Sequence, residues 1–140
     1  MPSPELENLV GTGQLAKEPP ARGEFDGLVT SGTVRLADAR NRALALESRF
    51  DLAYSAAHAL ALAALRWHGY RPKNRYIVFQ VLPHTLGMPM PTVRVLAKAH
   101  SVRNTAEYEG YFEAEERLVE ELITATARVA GGVAALAPLA

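Results

Sequence analysis

The 140-residue chain has no cysteine, which excludes a disulfide framework, a thiolate nucleophile and a cysteine-ligated metal. It has no net charge either, with 15 Lys and Arg against 15 Asp and Glu, and this argues against a generally basic nucleic-acid binder. A long uninterrupted apolar run is also missing. The nearest approach, Phe50 to Leu65, is broken by Asp51 and His58 and followed by Arg66, whereas a membrane span takes about 20 predominantly apolar residues, so no membrane association is expected. The opening MPSPELENLV has Pro and Glu where a secretory signal would carry a basic region and an apolar run, so a cytoplasmic location is expected. GTGQLAK lacks the spacing of a phosphate-binding P-loop. The length fits one domain, able to bury about two-thirds of its unfolded surface.

The chain is organised around Ser48–Arg71, SRFDLAYSAAHALALAALRWHGYR. Residues apolar or small on all sides predict a helix enclosed by others, with Ser48 as N-cap and Gly69 as C′ residue. Asp51, Ser55 and His58 follow at spacings of four and three, which sets one polar stripe along it. Residues 1–22 read as a short helix over Glu5–Val10 followed by a Pro-rich linker, 23–130 as the helical bundle, and 131–140 as a flexible tail. Within the bundle the apolar periodicity predicts helices over Glu24–Arg42, Pro91–Gly110 and Glu113–Ala130. Gly32 would allow close helix approach. Val95, Ala99, Val102 and Ala106 should form one buried stripe, and Leu118, Leu122, Ala125 and Val129 another. Residues 76–87 are ambiguous between strand and helix; no other segment offers a partner strand, which favours a short helix interrupted near Pro83. The expected fold is all-α, an antiparallel helical bundle of four to five main helices.

The balanced total charge conceals a local imbalance. Arg66 to Arg103 holds seven basic residues and no acidic one, and Asn104 to Glu121 holds seven Glu and one Arg. In the turn after the central helix, Arg66, Arg71, Lys73 and Arg75 are interleaved with Trp67, Tyr70 and Tyr76, a mixture of cations and stacking rings found on single-strand nucleic-acid surfaces. The alternative is a solvated basic loop paired with the glutamates of residues 107 to 121.

The stretch DLAYSAAHALALAALRWHGYRPKNRY, followed some thirty residues later by RNTAEYEG, resembles a HEPN domain. The elements that carry the likeness are Ala53, Tyr54, Ala56, Ala57 and His58 in the central helix, Gly69, Pro72 and Lys73 in the turn, and Arg103, Ala106, Glu107 and Tyr108 in the late helix. Together with the preceding helix it covers about Glu24 to Glu121. The resemblance implies a homodimer and an RNA- or nucleotide-associated component of a toxin–antitoxin-like or defence system, with an antitoxin or nucleotidyltransferase-like protein as partner. It also implies metal-independent RNase chemistry, in which an Arg and a His separated by four to six residues act on a phosphodiester.

This chain departs from that motif, because no His follows His100. Arg94 and His100 have the right spacing, yet six residues at about 100° each set them about 120° apart around a helix. His100, Arg103 and Asn104 share a face in the reverse order and are the candidate catalytic set. Asp51, His58, Glu107 and Tyr108 are supporting polar groups, and a helix ion pair from Arg103 to Glu107 is the bland reading of the same residues. Asp51, Ser55 and His58 include the residue types of a hydrolytic triad, but on one straight helix they read as a polar seam facing the Arg103 helix. His68 and His84 lack paired ligand spacing, so no metal and no cofactor are expected. The rival function is a non-enzymatic dimerisation or partner-binding helical module.

Overall fold

A computed structural model describes residues 3–110 and 115–139, with the backbone alone at 107 and 108. Its elements run α1 (Pro4–Gly11), β1 (Leu15–Lys17), α2 (Arg22–Ala39), α3 (Leu46–Trp67), β2 (Tyr70–Pro72), α4 (Ile77–Gln80), α5 (Leu82–Thr85), α6 (Met90–Glu109) and α7 (Glu116–Ala134). The architecture is an all-α bundle in which α2, α6 and α7 surround α3. Along α3, Ala53, Ala56, Ala57, Leu60, Ala61, Ala64 and Leu65 are all essentially inaccessible to solvent. Small side chains on every face let the neighbouring helices approach closely. Gly32 of α2 is the tightest approach, since a Cβ there would lie 2.6 Å from Leu60 Cγ.

The ends of α3 are set by different means. It starts two residues before the expected Ser48 cap, after Ala45 and without a side-chain cap. Its first turn is instead tied down by the buried Arg49, which donates through Nε to the Ala39 carbonyl at 2.8 Å and lies 3.3 Å from Glu120 of α7. At the other end Gly69 takes φ +88°, the left-handed conformation expected of the C′ residue.

Several expectations need correction. Residues 1–22 are more than a linker, because β1 pairs antiparallel with β2 (Leu15 opposite Pro72, Lys17 opposite Tyr70) and Leu6 and Leu15 enter the core. A three-residue ladder is too short to show a strand period. Residues 76–87, by contrast, agree with the favoured helix interrupted near Pro83, folding as two single turns on either side of Val81; Asn74 Oδ1 accepts a bond from the Ile77 amide at 2.9 Å and starts the first. The buried stripe of α6 is turned from the expected one: Thr92, Val93, Leu96 and Ala99 are buried, while Val95, Val102 and Ala106 are only partly covered. Helix α7 buries Leu118, Leu122, Ala125 and Val129 as expected, but it runs past Ala130. Val133 is buried, Gly132 lies against Leu86 and Met88, and Trp67 Nε1 donates to the Ala137 carbonyl at 2.8 Å. Gly131 and Gly132 each weaken a helix by about 1 kcal/mol, and tertiary packing outweighs that here. No helix among the described residues is long and apolar enough to cross a membrane.

Candidate functional site

The cations of the turn divide into two kinds. Arg66 is buried, and its guanidinium donates to Glu24 Oε1 at 2.7 Å and to the carbonyls of Glu18, Pro19 and Tyr70 at 2.9, 2.8 and 3.1 Å. Arg71 donates to Glu18 through Nε and to Glu24 through Nη2, each at 2.8 Å. The burial of Arg66 counts against the expectation that it contacts nucleic acid. Arg66 has no face to present to a ligand, and the charge of Arg71 is matched by two carboxylates. Those carboxylates come from the N-terminal arm and α2, not from residues 107 to 121, whose described glutamates Glu116 and Glu120 pair with Arg42 and Arg49. Arg66 and Arg71 hold Glu24 and Glu18, respectively, below the usual carboxylate range, chiefly through direct hydrogen bonds. Lys73 and Arg75 are exposed, and no carboxylate among the described residues pairs with either.

Arg75 points back to α3. Its guanidinium carbon lies 5.7 Å from the centroid of the Tyr54 ring, and that of Arg103 lies 5.6 Å from the same centroid. Tyr54 in turn meets His100, its hydroxyl 3.0 Å from Nδ1. On the other side of the imidazole, Asn104 Nδ2 is 3.0 Å from Nε2. A proton on Nδ1, donated to the Tyr54 oxygen, leaves Nε2 to accept from Asn104 and satisfies both bonds. The Tyr76 ring stacks on His100 with centroids 4.5 Å apart and planes 20° from parallel. Helical geometry explains the convergence on α6, since 100, 103 and 104 are neighbours on one face. Arg103 Nη1 donates to Asp51 Oδ1 at 2.9 Å, so the polar seam of α3 does face this helix.

His58, one turn beyond Tyr54, packs edge-on against Phe79 with centroids 6.1 Å apart. Burial, with help from the charges of Arg75 and His100, pushes it down to about 4. It is therefore neutral at physiological pH. His58, Pro72, Lys73, Asn74 and Arg75 line a hollow of ≈ 320 Å³ open to solvent. A second hollow of ≈ 330 Å³ lies between α6 and α7, lined by Thr92, Val95, Glu121 and Arg128 among others, away from the His100 cluster.

The structure thus joins Asp51, His58, Arg75, His100, Arg103 and Asn104, and separates Arg66 and Arg71 from them. Glu107 and Tyr108 as supporting groups, and the Arg103 to Glu107 ion pair, fall on side chains outside the described residues. Arg94 is exposed near the start of α6, on a different face from His100. Tyr54, one of the residues that carry the HEPN likeness, and Tyr76, one of the stacking rings of the turn, fix the His100 ring. Tyr54 stands three residues after Asp51 and four before His58, so the polar stripe itself pointed to it. Among the described residues no group of three or more His, Asp and Glu side chains could hold a metal ion. Comparison with protein-family models, with curated proteins and with solved structures gave no significant match.

Proposed function

We propose that the protein is a HEPN-like RNA- or nucleotide-associated component of a toxin–antitoxin-like or defence system, working through the face formed by Arg75, His100, Arg103 and Asn104. The supporting observation is the His100 imidazole, held between Tyr54 and Asn104 and stacked on Tyr76, with the guanidiniums of Arg75 and Arg103 over the adjoining Tyr54 ring. Imidazole and guanidinium together suit a phosphodiester: one moves protons and the other stabilises developing negative charge.

If the chain cleaves RNA, the ribose 2′-hydroxyl exchanges with Asn104 as the partner of His100 Nε2 and gives up its proton there. The 2′-oxygen bonds to phosphorus, the bond from phosphorus to the 5′-oxygen breaks, and that oxygen takes a proton from solvent. Arg103, rotated from Asp51, carries the phosphate charge. The Asp51 pair it leaves is half-exposed and of the kind worth about 0.2–1 kcal/mol.

The complete Arg103 to Asp51 pair favours the second reading, a partner-binding or dimerising module that needs no ligand. RNA affinity measured against salt separates the two. Affinity that falls steeply with salt supports the first reading, and no binding at low salt supports the second. Under the first reading, His100→Ala and Arg103→Ala each abolish cleavage in the presence of chelator while the helical circular dichroism is retained. Unchanged cleavage in both variants refutes the catalytic assignment.

A further inference from the structure

The hollow bounded by the turn and α3 has three exposed donor side chains at its wall, Lys73, Asn74 and Arg75. Lys73 and Arg75 carry two positive charges with no carboxylate partner among the described residues, in contrast to Arg66 and Arg71 a few residues earlier. Between them, Asn74 is held by the bond from the Ile77 amide to its Oδ1, which leaves its Nδ2 without a hydrogen-bond partner among the described residues. The floor includes His58, half-buried on α3. The groups facing His58 are Lys73 and Arg75 from the turn, His100 from α6 and the Phe79 ring from α4, none of them acidic. Two cations without a carboxylate partner among the described residues and a neutral imidazole make a local positive potential over a shallow, solvent-open hollow. Its volume, ≈ 320 Å³, lies at the small end of ligand pockets, roughly 300–1,000 Å³, room for a phosphate group and part of what it is attached to.

We propose that this hollow is a binding site for a single phosphate group, gripped by Lys73, Asn74 and Arg75 above His58. The site is distinct from the His100 cluster, and Arg75 joins the two. Its natural ligand, a nucleotide or a strand of RNA, rests on the function proposed above, whereas the phosphate chemistry does not. An ammonium and a guanidinium on one short turn, with a carboxamide N–H₂ between them, supply the donors an acceptor-only anion needs. Phosphate there replaces the missing carboxylates. Its charge also opposes that of Arg75, which stabilises protonated His58.

The test follows the His58 imidazole by NMR in the full-length protein while inorganic phosphate is added at constant ionic strength. The expected result is a saturable shift of the His58 signals and an upward move of its titration midpoint. Lys73→Ala and Arg75→Ala should each weaken binding about tenfold, as loss of one charge-assisted contact does, and Arg94→Ala should leave it unchanged. Both targets are exposed, so the fold tolerates their removal. A nucleoside 5′-monophosphate and a dinucleotide with only an internal phosphodiester form the next arms. Binding of the monoester alone assigns the site to free nucleotides or strand ends, and binding of both assigns it to the RNA backbone. An unmoved His58, or binding undiminished in both variants, overturns the proposal. Binding of inorganic phosphate with neither nucleotide nor RNA binding would instead sink the proposed function and leave this site standing.

Discussion

Replacing Arg66 by Met should destabilise the protein by about 3 kcal/mol without touching the candidate site. Met keeps the length and apolar stem of the side chain but removes all five N–H donors. Of the partners left behind, the Tyr70 carbonyl belongs to a buried residue and loses its bond in a place water does not easily reach, at about 1–3 kcal/mol. The carbonyls of Glu18 and Pro19 belong to exposed residues and regain water, so they add little. Glu24 is a third exposed and keeps Arg71 as a partner. The total thus falls at the low end of the roughly 3–5 kcal/mol seen when one member of a fully buried pair is removed.

For a chain of this size about 3 kcal/mol lowers Tm by roughly 10 °C. Urea unfolding followed by the fluorescence of Trp67, at the end of the same helix, measures the difference directly. Glu24 also gives a signature in acid. Its pKa is depressed in the folded state by Arg66 first and Arg71 second, so its stabilisation is present above the unfolded carboxylate range and is lost as pH falls through the lower folded value. The variant should therefore lose less stability than the wild type on acidification. An Arg66→Met unfolding free energy within about 0.5 kcal/mol of the wild type would refute the reasoning, since changes of that size are ordinary for surface substitutions that break no buried contact.

Two further outcomes rest on other helices. Gly32→Ala gains helix propensity of about 1 kcal/mol but pushes a Cβ to within 2.6 Å of the buried Leu60 Cγ, an overpacking cost of about 1–3 kcal/mol. The net expectation is a loss of about 1 kcal/mol by urea unfolding, relieved rather than added to when Leu60→Ala is combined with it. His58 is depressed to about 4, chiefly by burial, against about 6.5 unfolded. Between those values the unfolded chain binds the extra proton, so stability falls as pH drops from about 6.5 towards 4. That slope should be smaller in His58→Gln by thermal melts across the range, and an identical slope would count against a neutral His58.

The parts of the fold legible in the sequence are those with many residues reporting the same period. The alanine-rich run of α3, the Leu118–Val129 stripe of α7 and the glycine at Gly69 each repeat or punctuate a long helix, and the structure agrees with them. The three-residue strands and the rotation of α6 were not legible, because they are decided by what lies opposite. Thr92 and Leu96 are buried because α6 packs beside α7 and α4, and nothing in their own spacing ranks them above Val95 and Val102.

The same distinction governs the site. Spacing along α6 was enough to group His100, Arg103 and Asn104, because three- and four-residue steps are a property of the helix alone. The charged turn could not be read in that way. Arg66, Arg71, Lys73 and Arg75 are equivalent as a string of basic residues, and their roles part only when the N-terminal arm folds back and brings Glu18 to Arg66 and Arg71. The β1–β2 ladder that positions this arm therefore has an electrostatic consequence larger than its length suggests. It brings carboxylates to Arg66 and Arg71 and none to Lys73 and Arg75, which remain the charges that face the hollow beside Tyr54 and His58.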